Sequence, residues 1–476
     1  MIDARPENDG QDERIVTPVT IVANRLPVRI DEDGSHAISP GGLVSALMPV
    51  VRDGGGTWIG WLGTPGDPDV DPDGFVVDGL ALRPVPLSEQ DIELYYQRFA
   101  NETLWPLFHD GVRTPDFDAD AWEHYVKVNE RFARIAAEET ERDGVVWVHD
   151  YHLLMVPELL KKMRPDIRVG VFLHIPIPPG ELFATLPWRQ EILLSLASAD
   201  LVGTQTRVDA ENLSRTLLRP SLAGAVDPAI AMHKPKVMAF PISIDSLKYR
   251  DAAVETVESG EADELKESFG SGRTLFLGVD RLDYTKGIDK RLEAFEYALE
   301  HGMLDPARCA FVQVAVPSRD ILPEYQDIND RVDALVGRIN GRFGGVAHTV
   351  VYYIKRALPF TRLIPLYRAA DVMVVTPVRD GMNLVAKEYL ATRFDGTGEL
   401  ILSEFAGAAR QLSGATLINP YDVTALADAL VDAYTRSRET GGHPATSDMH
   451  HHVMEHDVHE WAASFLDVLQ GDASET

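Results

Sequence analysis

The sequence predicts an α/β protein of two domains, each a parallel sheet covered by helices. Three observations lead there. At 476 residues the chain exceeds what a single hydrophobic core usually supports. Its 45% hydrophobic fraction is spread over short β-branched runs that alternate with longer helical stretches, the pattern of parallel sheets joined by helices. Those runs fall into two series separated by one polar stretch.

In chain order, residues 1–16 are acidic, contain Gly and Pro and carry few large apolar groups, so they are expected to form a disordered tail. The first strand series is Val19–Ala23, Trp58–Trp61, Val145–Val148, Val169–Leu173, Leu201–Gly203 and Val237–Phe240. Between its second and third members, Tyr95 to Trp105 reads as a helix. After Pro241–Asp245, the polar stretch Asp251 to Glu267 reads as a domain connection followed by a helix. The second series is Thr274–Val279, Ala310–Ala315, Val350–Ile354, Val372–Thr376 and Leu400–Leu402, and a last helix is expected near Asp457–Leu469. The expected division is 17–245, 246–455 and a terminal segment 456–476.

Bulk properties narrow the partners. A formal charge of −29 disfavours nucleic acid and anionic membrane, so anionic substrates must be held by local cations against the global field. Cys309 is the only cysteine and lies in an apolar strand, which predicts a buried thiol and no internal disulfide. Nothing near Met1 looks like a signal peptide and no apolar run is long enough to span a bilayer, so a reducing cytoplasm is the expected compartment.

The densest motif is Val374 to Tyr389. An apolar strand ends at Pro377, Arg379 and Asp380 follow, and Gly381 is expected to open a helix whose first amides are unpaired and suited to an anion. Asp380 would lie at the carboxyl edge of the strand, where open α/β sheets place ligands, while Leu384 and Glu388 share a helix face. The segment thus offers amides for a diphosphate, Asp380 for sugar hydroxyls and Glu388 for a ribose; a well-capped helix after a buried strand is the plainer alternative. A second cluster, Leu275 to Gly287, puts Arg281 and Lys286 where a strand exits, two cations suited to charge growing on a leaving phosphate. Its spacing is not that of a Walker loop. In the third, Val19 to Pro27, Arg25 follows a strand, and Gly41 and Gly42 open an apolar helix and permit close backbone approach to a ligand. Asp150 ends the strand Val145–Val148, where it suits either a sugar hydroxyl or an N-cap.

These segments, in this order and together with Leu104–His109, Trp147–Leu153, Phe172–Pro176 and Arg379–Val385, resemble the retaining trehalose-phosphate synthases, nucleotide-sugar glycosyltransferases, over about Val19 to Leu469. The resemblance implies the GT-B fold: two Rossmann-like, doubly wound domains facing an interdomain cleft, with the last helix crossing back to the first domain. It implies transfer of glucose from a nucleotide-glucose donor to glucose 6-phosphate, giving α,α-trehalose 6-phosphate. By the same resemblance the catalytic set is Asp150, His174, Arg281, Lys286 and Asp380. The donor would meet Gly41, Gly42, Arg281, Lys286, Asp380 and Leu384, Val385, Ala386, Lys387 and Glu388. The acceptor would meet Arg25, Tyr96, Trp105, Asp150 and Arg319, and His174 would face the donor glucose. No cofactor or metal is implied, and a homo-oligomer, dimer or tetramer, is.

No carboxylate has an evident acid partner at helix spacing, which favours front-face transfer, with the departing diphosphate taking the acceptor proton, over a double inversion. His452, His456 and His459, at i, i+4 and i+7, have a spacing that can ligate zinc; a solvated helix entrance is the alternative. Two other readings of the chain are a glycogen- or sucrose-phosphate-type glucosyltransferase of the same fold, and a non-catalytic sugar-phosphate sensor. The base of the donor, UDP, ADP or GDP, is left open.

Overall fold

The computed structural model describes residues 18–30, 36–38, 44, 47–48, 51–52, 54–219, 235–317, 323–346 and 348–471. The tail 1–16 lies outside them. Two large sheets form. The strands of the first are β1 (Val19–Arg25), β2 (Thr57–Trp61), β3 (Phe75–Val77), β4 (Leu80–Pro84), β5 (Val145–His149), β6 (Arg168–Phe172), β7 (Leu201–Thr204) and β8 (Lys236–Ala239), lying in the order β8-β7-β6-β5-β1-β2-β4-β3. All neighbours are parallel except the edge pair β3 and β4. The second contains β9 (Thr274–Arg281), β10 (Cys309–Val316), β11 (Val351–Ile354), β12 (Val372–Val375), β13 (Glu399–Ser403) and β14 (Thr416–Ile418), all parallel, in the order β11-β10-β9-β12-β13-β14. Strands β3, β4 and β14 are additions to the expected series; they are short and lie at or next to sheet edges, where apolar patterning is weakest.

Both sheets are doubly wound. The order reverses between β1 and β5 in the first and between β9 and β12 in the second, and such switch points open a crevice at the strands' carboxyl ends. The residues leaving those four strands are Arg25, Asp150, Arg281 and the loop to Asp380.

The stretch expected as a connection is helical from its start. Asp245 caps a helix over Ser246–Glu258 through Lys248, and Gly260, at φ +76°, separates it from a second over Glu261–Ser268. The expected helix through Tyr95 is a π-helix over Ile92–Leu104, running into a short α-helix at Trp105–Phe108. This winding matters for the site. At 3.6 residues per turn, positions 96 and 105 would be about two and a half turns apart, on opposite faces. With i→i+5 bonding, the same separation is roughly two turns, and both rings face one side.

The last helix, Val458–Gln470, packs on the first sheet. Phe465 stacks on Trp147 at 4.4 Å and 7°, Trp461 meets Phe172 edge-on at 5.0 Å, and the bare glycines Gly170 and Gly203 leave room for Phe465. Burying each such ring is worth about 1.5–3 kcal/mol. Cys309 is buried and free, its thiol pushed up to about 12 by burial. Among the described residues, no helix is long and apolar enough to cross a membrane.

Candidate functional site

The site forms where the two switch points face each other. On the second sheet, β9 delivers Arg281, and a tight turn then carries Lys286 back toward the crevice. Asp283 holds that turn through the amide and hydroxyl of Thr285, and Tyr325 donates to its other oxygen at 3.2 Å. Gly287 ends it at φ +59°, and a Cβ there would lie 2.1 Å from the Thr376 carbonyl oxygen, so no other residue fits. The fully buried Arg291 braces the arrangement from below. It donates to Asp280 at 2.6 Å, to the Thr376 hydroxyl at 2.8 Å and to the carbonyl of Lys286 at 3.0 Å.

Lys286 Nζ meets Asp380 Oδ2 at 2.5 Å, and Asn383 donates to the same oxygen at 3.2 Å. Burial alone would raise the Asp380 carboxyl; Lys286, aided by His109 and Asn383, outweighs it and holds the group ionised. Gly381 does not open the helix. The helix runs Leu384–Ala391 and is capped by Asn383, whose side chain accepts from the Ala386 amide while its backbone sits at φ +77°. Gly381 serves contact across the cleft, since a Cβ there would lie 2.1 Å from the His174 carbonyl oxygen. Leu384 and Val385 face the crevice, and Glu388 accepts from Tyr367 at 2.7 Å, with burial raising its carboxyl.

Lys387 differs from its neighbours in where its side chain goes. Its side chain is 1% exposed and its ammonium donates to the Ile242 carbonyl at 2.7 Å, so only its backbone is available to a donor. Burial pulls the ammonium down to about 7, with Glu460 acting the other way. An unfolded lysine titrates near ~10.4, so between those values the unfolded chain binds the extra proton and stability gains with rising pH. Lys387→Met should lack this gain. The thermal midpoint of the wild type should therefore improve relative to the variant from pH 7 to pH 9.5, and parallel pH profiles would refute the assignment.

On the first sheet, Asp150 follows β5 at φ +73°, a strained conformation for a residue with a side chain. Its amide donates to Phe172 and its carboxylate accepts from the His174 amide at 3.2 Å. Tyr96 stacks on His152 at 5.8 Å and meets Trp61 edge-on. Arg25 lies 4.3 Å over Trp61, and Arg281 reaches across the cleft to lie 5.7 Å over Trp105. A cavity of about 600 Å³ is lined by Arg25, Tyr96, Trp105, Asp150 and Arg281. A second, of about 360 Å³, is lined by His174, Lys286, Asp380, Leu384, Val385 and again Asp150 and Arg281. Gly41, Gly42 and Arg319 lie outside the described residues.

Sequence reasoning missed Arg291, His109 and the cross-cleft pair of Arg379 with Asp110 at 2.8 Å. His109, buried and bonded to the Trp105 carbonyl at 2.7 Å, is held down to about 4 by burial. Only its presence in Leu104–His109 hinted at it. The histidine cluster does not make one helical face: the helix Thr446–Glu455 ends before His456, and Asp457 caps the next. Among the described residues no group of side chains is arranged to hold a metal ion.

Two Rossmann-type sheets with cations, carboxylates and aromatic walls gathered at their facing switch points define a GT-B glycosyltransferase. The comparisons agree. The profile of glycosyltransferase family 20 matches residues 17–471. The trehalose-6-phosphate synthase of Mycolicibacterium gilvum (strain PYR-GCK) is 45% identical over 471 residues, covering 94% of this chain and 93% of its own. A UDP-forming α,α-trehalose-phosphate synthase from Burkholderia xenovorans, solved in complex with glucose-6-phosphate, superposes with a TM-score of 0.85 at 33% identity, covering 95% of this chain and 100% of its own. An E. coli structure bound with UDP-2-fluoro glucose gives 0.84 at 32% identity, over 95% and 99%. The chain belongs to glycosyltransferase family 20.

Proposed function

We propose that the protein transfers glucose from UDP-glucose to glucose 6-phosphate, forming α,α-trehalose 6-phosphate and UDP in trehalose biosynthesis. The observation that carries this reading is the wall common to the two cavities: Asp150 and Arg281 line both, so an acceptor in the larger and a donor in the smaller would meet between them. The larger has the aromatic sides and the cation, Arg25, that a sugar phosphate needs. The smaller has Lys286 and Arg281 for a diphosphate and Asp380 for sugar hydroxyls. Family relatives that form UDP support the uridine donor.

In the proposed reaction the bond from the glucose anomeric carbon to the diphosphate oxygen breaks. The anomeric hydroxyl oxygen of the acceptor bonds to that carbon from the same face, and its proton passes to the departing diphosphate oxygen. Arg281 and Lys286 stabilise the charge that grows there, and Asp150 orients the acceptor. The acceptor half is taken as 17–245 and the donor half as 246–455, with the helix Val458–Gln470 of the terminal segment 456–476 returning to the first.

The test is a mixture of UDP-glucose and glucose 6-phosphate followed by mass spectrometry. A new disaccharide phosphate with equimolar UDP is expected. Unchanged reactants with bound sugar phosphate would replace the enzyme reading with that of a sensor.

A further inference from the structure

Behind His174 lies a second imidazole. His149, the last residue of β5, has its Nδ1 3.1 Å from His174 Nε2, and the two rings stack at 5.4 Å and 22°. Both imidazoles are neutral. Burial, reinforced by His174, holds His149 well below its usual range, and burial holds His174 near about 3. A single N–H therefore bridges the two rings, donated by one or the other.

The surroundings of His149 decide the direction. Its Nε2 is buried with no hydrogen-bond partner, and the ring packs beside those of Trp147 and Phe172. Were the proton on Nε2, a buried donor would be orphaned beside the likewise unpartnered indole N–H of Trp147. With the proton on Nδ1, only a lone pair is left there, and buried proteins tolerate an unused acceptor better than an unused donor. His149 thus donates from Nδ1, His174 Nε2 accepts, and the proton of His174 must sit on Nδ1. His174 lines the smaller cavity together with Asp150, Gln205 and Asp380, and with its Nε2 committed to His149 the Nδ1–H is the group left for a ligand there. The His174 ring also packs on Phe172 at 4.7 Å and on Trp461 at 6.1 Å, and its backbone amide donates to Asp150, but His149 is its hydrogen-bonding ring partner.

Resting on the proposed function, we infer that His149 is a positioning residue that fixes His174 as the Nδ1–H tautomer, so that His174 donates a hydrogen bond to a hydroxyl oxygen of the donor hexose. The last helix belongs to the same device, because Phe465 and Trp461 clamp Trp147, which in turn packs on His149.

The first test needs no turnover. Nitrogen-15 NMR of the histidine-labelled, ligand-free protein at pH 7 should give His174 a protonated Nδ1 and an unprotonated Nε2. A protonated Nε2 would overturn the inference even if the enzyme makes trehalose 6-phosphate. The second test separates two variants. His149→Asn keeps an amide donor near the position of Nδ1, whereas His149→Phe fills the space without one. His149 also lines the larger cavity, so the KM for glucose 6-phosphate is measured alongside; the Phe variant should lose about 10-fold in kcat/KM for the nucleotide-glucose, and Asn should recover most of that loss. Equal losses in both variants, or a loss confined to the acceptor, would reduce His149 to packing. If wild-type protein transfers no glucose while the NMR result holds, the proposed reaction fails and the tautomer assignment stands.

Discussion

Replacing Lys286 with Ala is expected to lower turnover by ~10²–10³, the usual cost of removing one preorganised charge donor from a developing anion. Two effects combine. The diphosphate loses a cation at the exit of β9, and Asp380 loses the partner 2.5 Å away that keeps it ionised despite burial. Asp380 would then take up a proton at a higher pH than in the wild type. The activity left in Lys286→Ala should therefore fall further on the acid side than wild-type activity does. The KM for glucose 6-phosphate should change little, because Lys286 lines only the smaller cavity. Steady-state kinetics with each substrate varied in turn would check this, and near-normal turnover would remove Lys286 from the leaving-group role.

The second large effect should fall on the acceptor. Arg25 leaves β1 at the switch point, its backbone carbonyl held by Trp58 at 3.1 Å and its guanidinium spread over Trp61. Gly63 is what leaves room for it: a Cβ there would collide with the guanidinium. A charge-assisted hydrogen bond contributes roughly 1.5–3 kcal/mol, so Arg25→Ala should cost about 10- to 150-fold in kcat/KM for glucose 6-phosphate. UDP binding and the slow use of free glucose should be unchanged. Gly63→Ala should reproduce part of the defect without removing the charge. Should Arg25→Ala keep the wild-type preference for glucose 6-phosphate over glucose, the phosphate pocket would have to be sought elsewhere.

The sequence by itself determined the α/β class, most of the parallel strands and the cluster of charged residues at their ends. These are local properties: an apolar run of strand length followed by Arg-Asp-Gly or Arg-Leu-Asp carries its meaning within a dozen residues, and the chemistry of Arg281, Lys286 and Asp380 is written in their side chains. What came from resemblance, the acceptor role of Tyr96 and Trp105, was not legible in spacing, since nine positions on an α-helix point opposite ways. Only the tertiary structure supplied the π winding that turns both rings to one side. Lys387 shows another limit. The resemblance places it among the donor contacts, but where its ammonium goes depends on how that helix rolls against Ile242, a residue 145 positions away. Arg291, His149 and the clamp of Phe465 on Trp147 were invisible for the same physical reason. Buried polar groups and stacked rings are satisfied by partners far along the chain, and burial, which sets their protonation and energy, exists only once both sheets and the last helix have packed.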